Sequence, residues 1–319
     1  MSELAGARSP RVRAARQLAK RAMRERARLF LAEGPQAVRE ALGRQSGPGL
    51  AESSGPAEDS GGRESPGRQG GRGQLGRLGR GSGPGQASQI TELFVTTGAR
   101  SRHGELVDAV SGAGVPVHEV SGELMAELAQ TVTPQGLLAV CRFVDVPLAE
   151  LTSAAPRLVV VLANVRDPGN AGTVLRTADA AGADGVIFAD ASVDPYNSKC
   201  VRSSAGSLFH LPVVLGISVR QAAAALRAAG MTVLAADGGA RLRLDDLESD
   251  ARLARPTAWL FGNEAWGLPA DLLEMADAAV AVPIYGRAES LNLAAAAAVC
   301  LYASARAQDG GCRSVRRTR

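Results

Sequence analysis

Short apolar segments alternate with helical segments through the second half of this 319-residue chain, and this alternation limits the fold more than any other feature. Apolar strands are predicted at residues 157–162, 185–188, 212–215, 232–236, 258–261 and 279–282. Helices are predicted between several of them, at 169–181, 198–204 and 219–229. Strands that are joined through helices pair in parallel, and the helices cover both faces of the sheet. The pattern therefore predicts an α/β fold built on a parallel sheet.

A smaller α/β domain is predicted before it. Residues 8–42 favour helix, residues 92–96, 115–120 and 137–143 favour strands, and residues 104–112 and 122–128 favour helices. The first helix is expected to complete this domain, and residues 145–155 are expected to form a linker. We therefore expect a first domain at 1–150, a second at 151–306 and a basic tail at 307–319.

Residues 43–88 consist mainly of Gly, Ser, Pro, Arg and Glu. Such a segment buries too little apolar surface to offset the loss of chain entropy, so we expect it to be a disordered insertion. It contains the sequence GxGxxG at residues 71–76, but no strand precedes it and no periodic helix follows it. We interpret that sequence as a chance match and not as a dinucleotide site.

The formal net charge is +4, and only two of the 36 basic residues are lysines. Eight basic residues between Arg11 and Arg28 give the first helix a dense positive charge beside a thin apolar stripe. A solvated face, a membrane-surface contact and a nucleic-acid contact all remain open for this segment. The four cysteines form no CxxC pair, which favours a reducing compartment over a zinc site or a disulfide framework. With no apolar run of membrane-spanning length, the expected location is the cytoplasm.

Three polar clusters follow or precede predicted elements of the second domain. They lie at residues 164–173, at Gly262-Asn263-Glu264 and at Ser290-Leu291-Asn292. Each one by itself is typical of an ordinary turn or helix cap. Ligands in open α/β sheets bind outside the carboxyl ends of the strands, where these clusters are expected to meet. Their combination therefore indicates a site.

The clusters resemble three motifs of the SpoU/TrmH branch of the SPOUT-class RNA methyltransferases. The matching residues are Asn164, Asp167, Pro168, Asn170, Gly172 and Arg176 in the first motif, Gly262, Asn263, Glu264, Gly267 and Leu268 in the second, and Pro283, Ser290, Leu291 and Asn292 in the third. The resemblance extends to Asn197-Ser198-Lys199, to residues 202–209 and to both ends of the first domain. It covers nearly the whole chain outside 43–88 and the arginine-rich tail.

The resemblance implies a fold, a cofactor and an assembly. The fold would be a SPOUT-type parallel sheet with a deep trefoil knot, preceded by an α/β (L30e-like) RNA-binding domain. The cofactor would be S-adenosyl-L-methionine, and the protein would be a homodimer whose active site forms at the subunit contact. The implied cofactor-binding residues are Leu234, Ala235, Asp237, Gly238, Phe261, Gly262, Asn263, Glu264, Gly267, Ile284, Ser290, Leu291 and Leu293. The implied catalytic residues are Arg176, Asn170, Glu264, Ser290 and Asn292.

In that family the arginine that matches Arg176 is assigned the activation of the ribose 2′-hydroxyl. A guanidinium, with a pKa of about 12, keeps its proton at neutral pH. Stabilising the forming alkoxide and clamping the phosphate is therefore easier for Arg176 than removing the hydroxyl proton. Asn170, Ser290 and Asn292 would orient Arg176 and the ribose, and Glu264 would order its loop or the arginine of the partner subunit.

The expected activity is methylation of a ribose 2′-hydroxyl, in 23S ribosomal RNA. Methylation of tRNA, an antibiotic-resistance methylase and a non-catalytic RNA-binding protein on the same fold remain alternatives.

Overall fold

The computed structural model describes residues 6–43 and 88–316, with side chains described as far as residue 310. Nearly all of the insertion expected to be disordered, with its GxGxxG sequence, lies outside these residues. Within the described ranges, no helix is both long and apolar enough to cross a membrane.

The N-terminal domain contains a four-stranded sheet with the strand order β1-β4-β2-β3. The strands are β1 (Leu29–Glu33), β2 (Ile90–Val95), β3 (Val117–Glu119) and β4 (Leu137–Arg142). The helices are α1 (Pro10–Gln17), α2 (Arg21–Ala27), α3 (Pro35–Leu42), α4 (Thr97–Arg102), α5 (Gly104–Gly112) and α6 (Gly122–Ala129). Strand β1 pairs antiparallel with β4, so the segment before the insertion joins this sheet through a strand, where a helix was predicted.

The prediction of one helix over residues 8–42 is wrong. Helix α2 ends because Arg28 adopts a left-handed conformation with φ of 54°. The next five residues, LFLAE, form β1, in which all but Leu29 are buried. An apolar run of this length fits a buried strand as well as a helix, and pairing with β4 decides between them.

Most of the positive charge between Arg11 and Arg28 is paired. The five ion pairs are Arg11–Glu92, Arg16–Glu127, Arg21–Glu25, Arg24–Asp194 and Arg28–Asp145. The Arg24 pair reaches Asp194 of the second domain, and the Arg28 pair reaches Asp145, three residues after β4. The expected nucleic-acid contact of this segment stays a prediction for its remaining cations, Arg13, Lys20 and Arg26.

The expected linker at 145–155 is instead ordered. Residues Leu148–Ser153 form helix α7, and Leu151 is 2 % exposed. The Asp145 carboxylate accepts hydrogen bonds from Arg28 and from the Tyr196 hydroxyl at 2.8 Å each. The Tyr196 ring stacks on Phe143 with 3.7 Å between centroids. The connection between the two domains is therefore packed and hydrogen-bonded.

The second domain contains a seven-stranded parallel sheet, as predicted, with the order β7-β6-β5-β10-β8-β11-β9. The strands are β5 (Leu158–Ala163), β6 (Gly185–Ala189), β7 (Val213–Ile217), β8 (Thr232–Ala236), β9 (Leu242–Arg243), β10 (Thr257–Phe261) and β11 (Ala278–Ala281). The helices are α8 (Pro168–Ala180), α9 (Ser198–Ser203), α10 (Val219–Ala228), α11 (Leu244–Ser249), α12 (Ala270–Leu273) and α13 (Leu293–Arg316). The short elements β9, α11 and α12 were not predicted.

Helices cover both faces of this sheet. Leu151 of α7 and Leu226 of α10 pack in one apolar cluster with Leu260. On the other face, Val174 of α8 and Leu301 of α13 belong to a second cluster. This second cluster also contains Phe30 and Val38 of the N-terminal domain, so the two domains share a core.

Helix α13 is longer than the predicted helix, which ended near residue 305, and it continues into the expected basic tail. The buried side chain of Gln308 donates hydrogen bonds to the carbonyl oxygens of Arg157 and Arg255. These bonds hold the later turns of α13 against the sheet domain. Earlier in the helix, the buried Ser304 hydroxyl accepts a hydrogen bond from the Trp259 indole at 2.9 Å.

Candidate active site

Helix α8 begins at the edge of the sheet where β5 ends. The turn is made by Asn164, which has a left-handed φ of 54°, and Pro168 occupies the first turn of the helix. The Asp167 carboxylate caps α8 by accepting a hydrogen bond from the backbone N–H of Asn170 at 2.7 Å. A hydrogen bond from Lys199, followed by this backbone bond, lowers the pKa of Asp167 below its usual value. The carboxylate is therefore ionised at neutral pH, and the cap fixes the position of Asn170.

Glu264 joins the second motif to the first. Its carboxylate accepts hydrogen bonds from the backbone N–H groups of Arg166 at 3.2 Å and Asp167 at 3.1 Å, and from the Asn170 side-chain amide at 3.3 Å. Asn263 adds a further link, because its side-chain amide donates to the Asn164 carbonyl at 2.8 Å. Both residues thus connect the turn after β10 to the start of α8 by hydrogen bonds.

Asn292 brings in the third motif. Its side-chain amide donates to Asn170 Oδ1 at 3.1 Å, and its own Oδ1 accepts from the backbone N–H of Ala294 at 2.9 Å at the start of α13. Asn170, Glu264 and Asn292 therefore form one cluster within a single chain. Ser290, the remaining residue predicted for this group, is exposed and is not hydrogen-bonded to the cluster.

Arg176 lies apart from this cluster in its own chain. It is exposed on α8, and among the described residues its guanidinium has no hydrogen-bond or ion-pair partner. The six residues from Asn170 to Arg176 advance the helix by about 9 Å and leave the two side chains about 120° apart. A single chain therefore presents the cluster and the arginine at two separate positions on α8.

Lys199 was not predicted as a site residue. Its ammonium lies 2.7 Å from the Asp167 carboxylate, and both side chains are about half exposed. Two glycines of α8 could have indicated that α9 lies close by. A Cβ at Gly169 would lie 3.0 Å from Lys199 Cε. A Cβ at Gly172 would lie only 2.0 Å from Ser203 Oγ and 2.4 Å from the Cys200 carbonyl oxygen. Glycine is costly inside a helix, so its presence indicates a close approach of another element, which here is α9.

The loops predicted to bind the cofactor lie side by side. Strands β10, β8 and β11 are neighbours in the parallel sheet, so the turns after Phe261, Ala236 and Ala281 lie at the same edge. Gly262 permits the tight turn, because a Cβ there would lie 2.4 Å from the backbone of Gly267. Leu234, Ala235, Phe261 and Asn263 are buried at or beside the strand ends, whereas Gly238, Ile284 and Leu291 are exposed above them.

This edge has the properties that an adenosyl group requires. A Cβ at Gly238 or at Gly286 would meet no atom within 4 Å, so the backbone of both loops is open to a ligand. Ile284 and Leu291 are 38 % and 40 % exposed and offer apolar surface to a base. The Asp237 carboxylate follows β8 directly and could accept hydrogen bonds from ribose hydroxyls.

Comparison with known proteins agrees with these motifs. A family model described as the SpoU rRNA Methylase family matches residues 157–302, and a second, described as RNA 2′-O ribose methyltransferase substrate binding, matches residues 85–147. The 23S rRNA (guanosine(2553)-2′-O)-methyltransferase RlmP of Bacillus subtilis is 38 % identical over 189 residues, which are 59 % of this chain and 72 % of that protein.

Two solved structures are similar over nearly the full chain. The AdoMet-bound rRNA methyltransferase from Sinorhizobium meliloti has a TM-score of 0.72 and 27 % identity, covering 96 % of this chain and 97 % of that one. The SpoU methyltransferase AviRb from Streptomyces viridochromogenes, in complex with AdoMet, has a TM-score of 0.70 and 26 % identity, covering 95 % and 100 %. The chain therefore belongs to the SpoU rRNA methylase family and is an RNA (ribose-2′-O-)-methyltransferase.

Proposed function

We propose that this chain uses S-adenosylmethionine to methylate a ribose 2′-hydroxyl of 23S ribosomal RNA, at a site formed by Asn170, Glu264 and Asn292 of one subunit and Arg176 of another. The observation that carries the proposal is the single hydrogen-bonded cluster that links the three separated motifs. The rRNA substrate is supported by RlmP, whose name specifies a 23S rRNA guanosine. The cofactor is supported by the AdoMet-bound neighbours and by the open loops at the edge of the sheet.

The cofactor would be held by the loops after β8, β10 and β11, which contain Asp237, Gly238, Gly262 and Ile284. S-adenosylmethionine supplies a methyl group on a positively charged sulfur. When bound, it would transfer this methyl group to the ribose 2′-oxygen and leave as S-adenosylhomocysteine, and the hydroxyl proton would pass to solvent. Because two reactants held in line can gain roughly 7–11 kcal/mol from positioning, we assign most of the work of this chain to orientation.

Arg176 has the role of stabilising charge. Among the described residues its guanidinium has no hydrogen-bond or ion-pair partner. A guanidinium is a permanent positive charge at neutral pH, so this side chain is suited to the forming 2′-alkoxide and to an adjacent phosphate. Asn170 and Asn292, fixed by each other and by Glu264, orient the ribose. Ser290 is a further candidate, exposed beside the start of α13.

A homodimer would bring Arg176 to the cluster. Ala295, Val299 and Tyr302 recur every three or four residues along the exposed side of α13, and Leu291 lies two residues before the helix begins. Leu291, Val299 and Tyr302 are large hydrophobic side chains that are 40–46 % exposed. An apolar helix face of this kind is typical of a contact with a second copy of the chain. We further propose that the C-terminal segment is knotted as in the SPOUT class, and that the RNA-binding and methyltransferase domains divide near residue 150.

The activity test has two parts. Purified protein should transfer tritiated methyl from S-adenosylmethionine to 23S ribosomal RNA, and Arg176→Ala should lose about 10²–10³-fold in turnover while binding the cofactor with unchanged affinity by calorimetry. Wild-type turnover in Arg176→Ala would contradict its role. Mapping 2′-O-methyl groups in a deletion strain against its parent then identifies the nucleotide, and a missing methyl in tRNA alone would overturn the rRNA substrate.

A further inference from the structure

Helix α9 lies between the site cluster and the N-terminal domain. Lys199 and Arg202 are three residues apart on this helix and therefore lie on the same side of it. The Lys199 ammonium contacts Asp167 beside the cluster. Arg202 Nη1 contacts Glu33 Oε2 and the Ala129 carbonyl oxygen of the N-terminal domain, at 3.3 Å each. One turn of α9 thus connects the two parts of the protein that RNA must touch.

The position of α9 is fixed by close packing. Gly169 and Gly172 leave the space into which Lys199 and Ser203 fit, and the Ser203 hydroxyl bonds to the Pro168 carbonyl oxygen at 3.3 Å. A side chain at Gly172 would displace the backbone of α9, because its Cβ would lie 2.4 Å from the Cys200 carbonyl oxygen. Packing thus fixes the backbone of α9, and Asp167 holds the Lys199 ammonium beside the site.

Both cations have donors that no described residue uses. An ammonium has three N–H donors, and the Lys199 side chain, 56 % exposed, uses one of them, on Asp167. A guanidinium has five donors, and towards the described residues Arg202 uses only those of Nη1, while its side chain remains 32 % exposed. An exposed ion pair such as Lys199–Asp167 adds at most about 1 kcal/mol to stability, so stability alone does not account for the placement of the lysine.

The surroundings favour an anion. The side chain of Arg166, the residue before Asp167, is exposed and has no partner among the described residues. Glu33, the partner of Arg202, is buried, with a side chain only 4 % exposed, and also accepts a hydrogen bond from the backbone of Gln135. Its charge faces the protein interior while the guanidinium reaches the surface. A phosphodiester matches such spare donors in charge and geometry.

We propose that Lys199 and Arg202 bind backbone phosphates of the RNA strand where it passes from the N-terminal domain to the target ribose. The inference rests on the proposed function and names the part of the RNA path that lies between the two domains. Asp167 holds the lysine in place in the free enzyme, and a phosphate shares or replaces that carboxylate when RNA binds.

The test measures binding of deproteinised 23S ribosomal RNA at a series of KCl concentrations, which requires no methyl transfer. For Lys199→Ala and for Arg202→Ala, the slope of log affinity against log salt should become shallower by about 0.7–0.9, one phosphate each. Lys199→Arg should keep the slope. The matched control is Arg220→Ala, at an exposed arginine of α10 that has no ion-pair partner in the described part of the chain and lies on the opposite face of the sheet.

Asp167→Asn separates RNA binding from a structural role of the lysine. Asparagine still caps α8 but no longer pairs with Lys199, so RNA affinity should stay the same or rise. The inference fails if Asp167→Asn reproduces the loss seen in Lys199→Ala, or if both alanine variants keep the wild-type slope and affinity for RNA. Failure of the proposed function looks different: wild-type protein would bind RNA with a normal slope but transfer no methyl group.

Discussion

The side-chain amide of Asn292 donates a hydrogen bond to Asn170 Oδ1 at 3.1 Å, although 122 residues separate them in the chain. Asn170 lies in the first turn of α8, and Asn292 directly precedes α13. Glu264, in the turn after β10, completes the group because its carboxylate accepts a hydrogen bond from the Asn170 side-chain amide. Each strand that leads into the group ends at the same edge of the parallel sheet, which is why the three motifs meet.

Replacing Glu264 with glutamine should reduce turnover by about tenfold or more, which corresponds to roughly 1.4 kcal/mol of transition-state stabilisation. The Glu264 carboxylate accepts hydrogen bonds from three N–H groups. The glutamine side chain has only one acceptor oxygen, so its own NH₂ group would face at least one of these donors. Methyl transfer measures the effect. Glu274→Gln, an exposed carboxylate elsewhere in the domain, serves as the control and should behave like wild type.

Mixing two inactive variants tests the shared site. If Arg176 acts on the cluster of the other subunit, a heterodimer of Arg176→Ala and Asn292→Ala has one intact site out of two. An equal mixture that has exchanged subunits contains half heterodimers, so it should recover about a quarter of wild-type activity. Two residues that act within one chain would give no recovery. Val299→Arg, on the exposed face of α13, should yield monomers by sedimentation and abolish activity.

The buried Arg24–Asp194 pair should contribute strongly to the docking of the two domains. Its side chains are 5 % and 10 % exposed, with 2.6 Å between Arg24 Nη2 and Asp194 Oδ2. Arg24→Met should cost about 3–5 kcal/mol, because it leaves a buried carboxylate unpaired. Adding Asp194→Asn should recover part of this loss, since its oxygen still accepts from the backbone N–H of Tyr196. Urea unfolding midpoints measure both effects.

Stability should fall as the pH rises from about 7 to 10, because of His210. Its ring lies between two carboxylates, Asp179 of α8 at 2.7 Å and Glu40 of α3 at 3.0 Å. The hydrogen bond to Asp179, and then that to Glu40, raise the pKa of His210 from 6.5 to about 9, against the opposing effect of burial. The stabilisation is complete below the unfolded pKa and is lost as pH rises through the folded one.

The control for this pH dependence is His210→Gln, which can still bond to one carboxylate but does not titrate. Its urea midpoint should change less between pH 7 and pH 10 than that of wild type. Parallel curves for the two proteins would show that His210 does not cause the alkaline loss.

Much of the fold follows from local pattern. The strand at Thr232–Ala236 and the helix at Gly104–Gly112 lie where apolar periodicity predicts them, and most others differ by one or two residues. The failures are at ambiguous segments. The run Leu29–Glu33 suits a helix or a strand, and only its pairing with β4 makes it a strand. The residues near 150 were predicted to be a linker, but Leu151 packs in the apolar cluster on one face of the sheet.

The sequence by itself determined the family, the parallel sheet and the identity of the motif residues, because these depend on residue type and on spacing along the chain. Only the tertiary structure decided which groups touch. It joined Asn170 to Glu264 and Asn292, left Arg176 apart from them, and placed Lys199 beside Asp167. It also paired most of the N-terminal arginines with carboxylates. Contacts between residues distant in sequence depend on strand order and helix crossing, which no local pattern encodes.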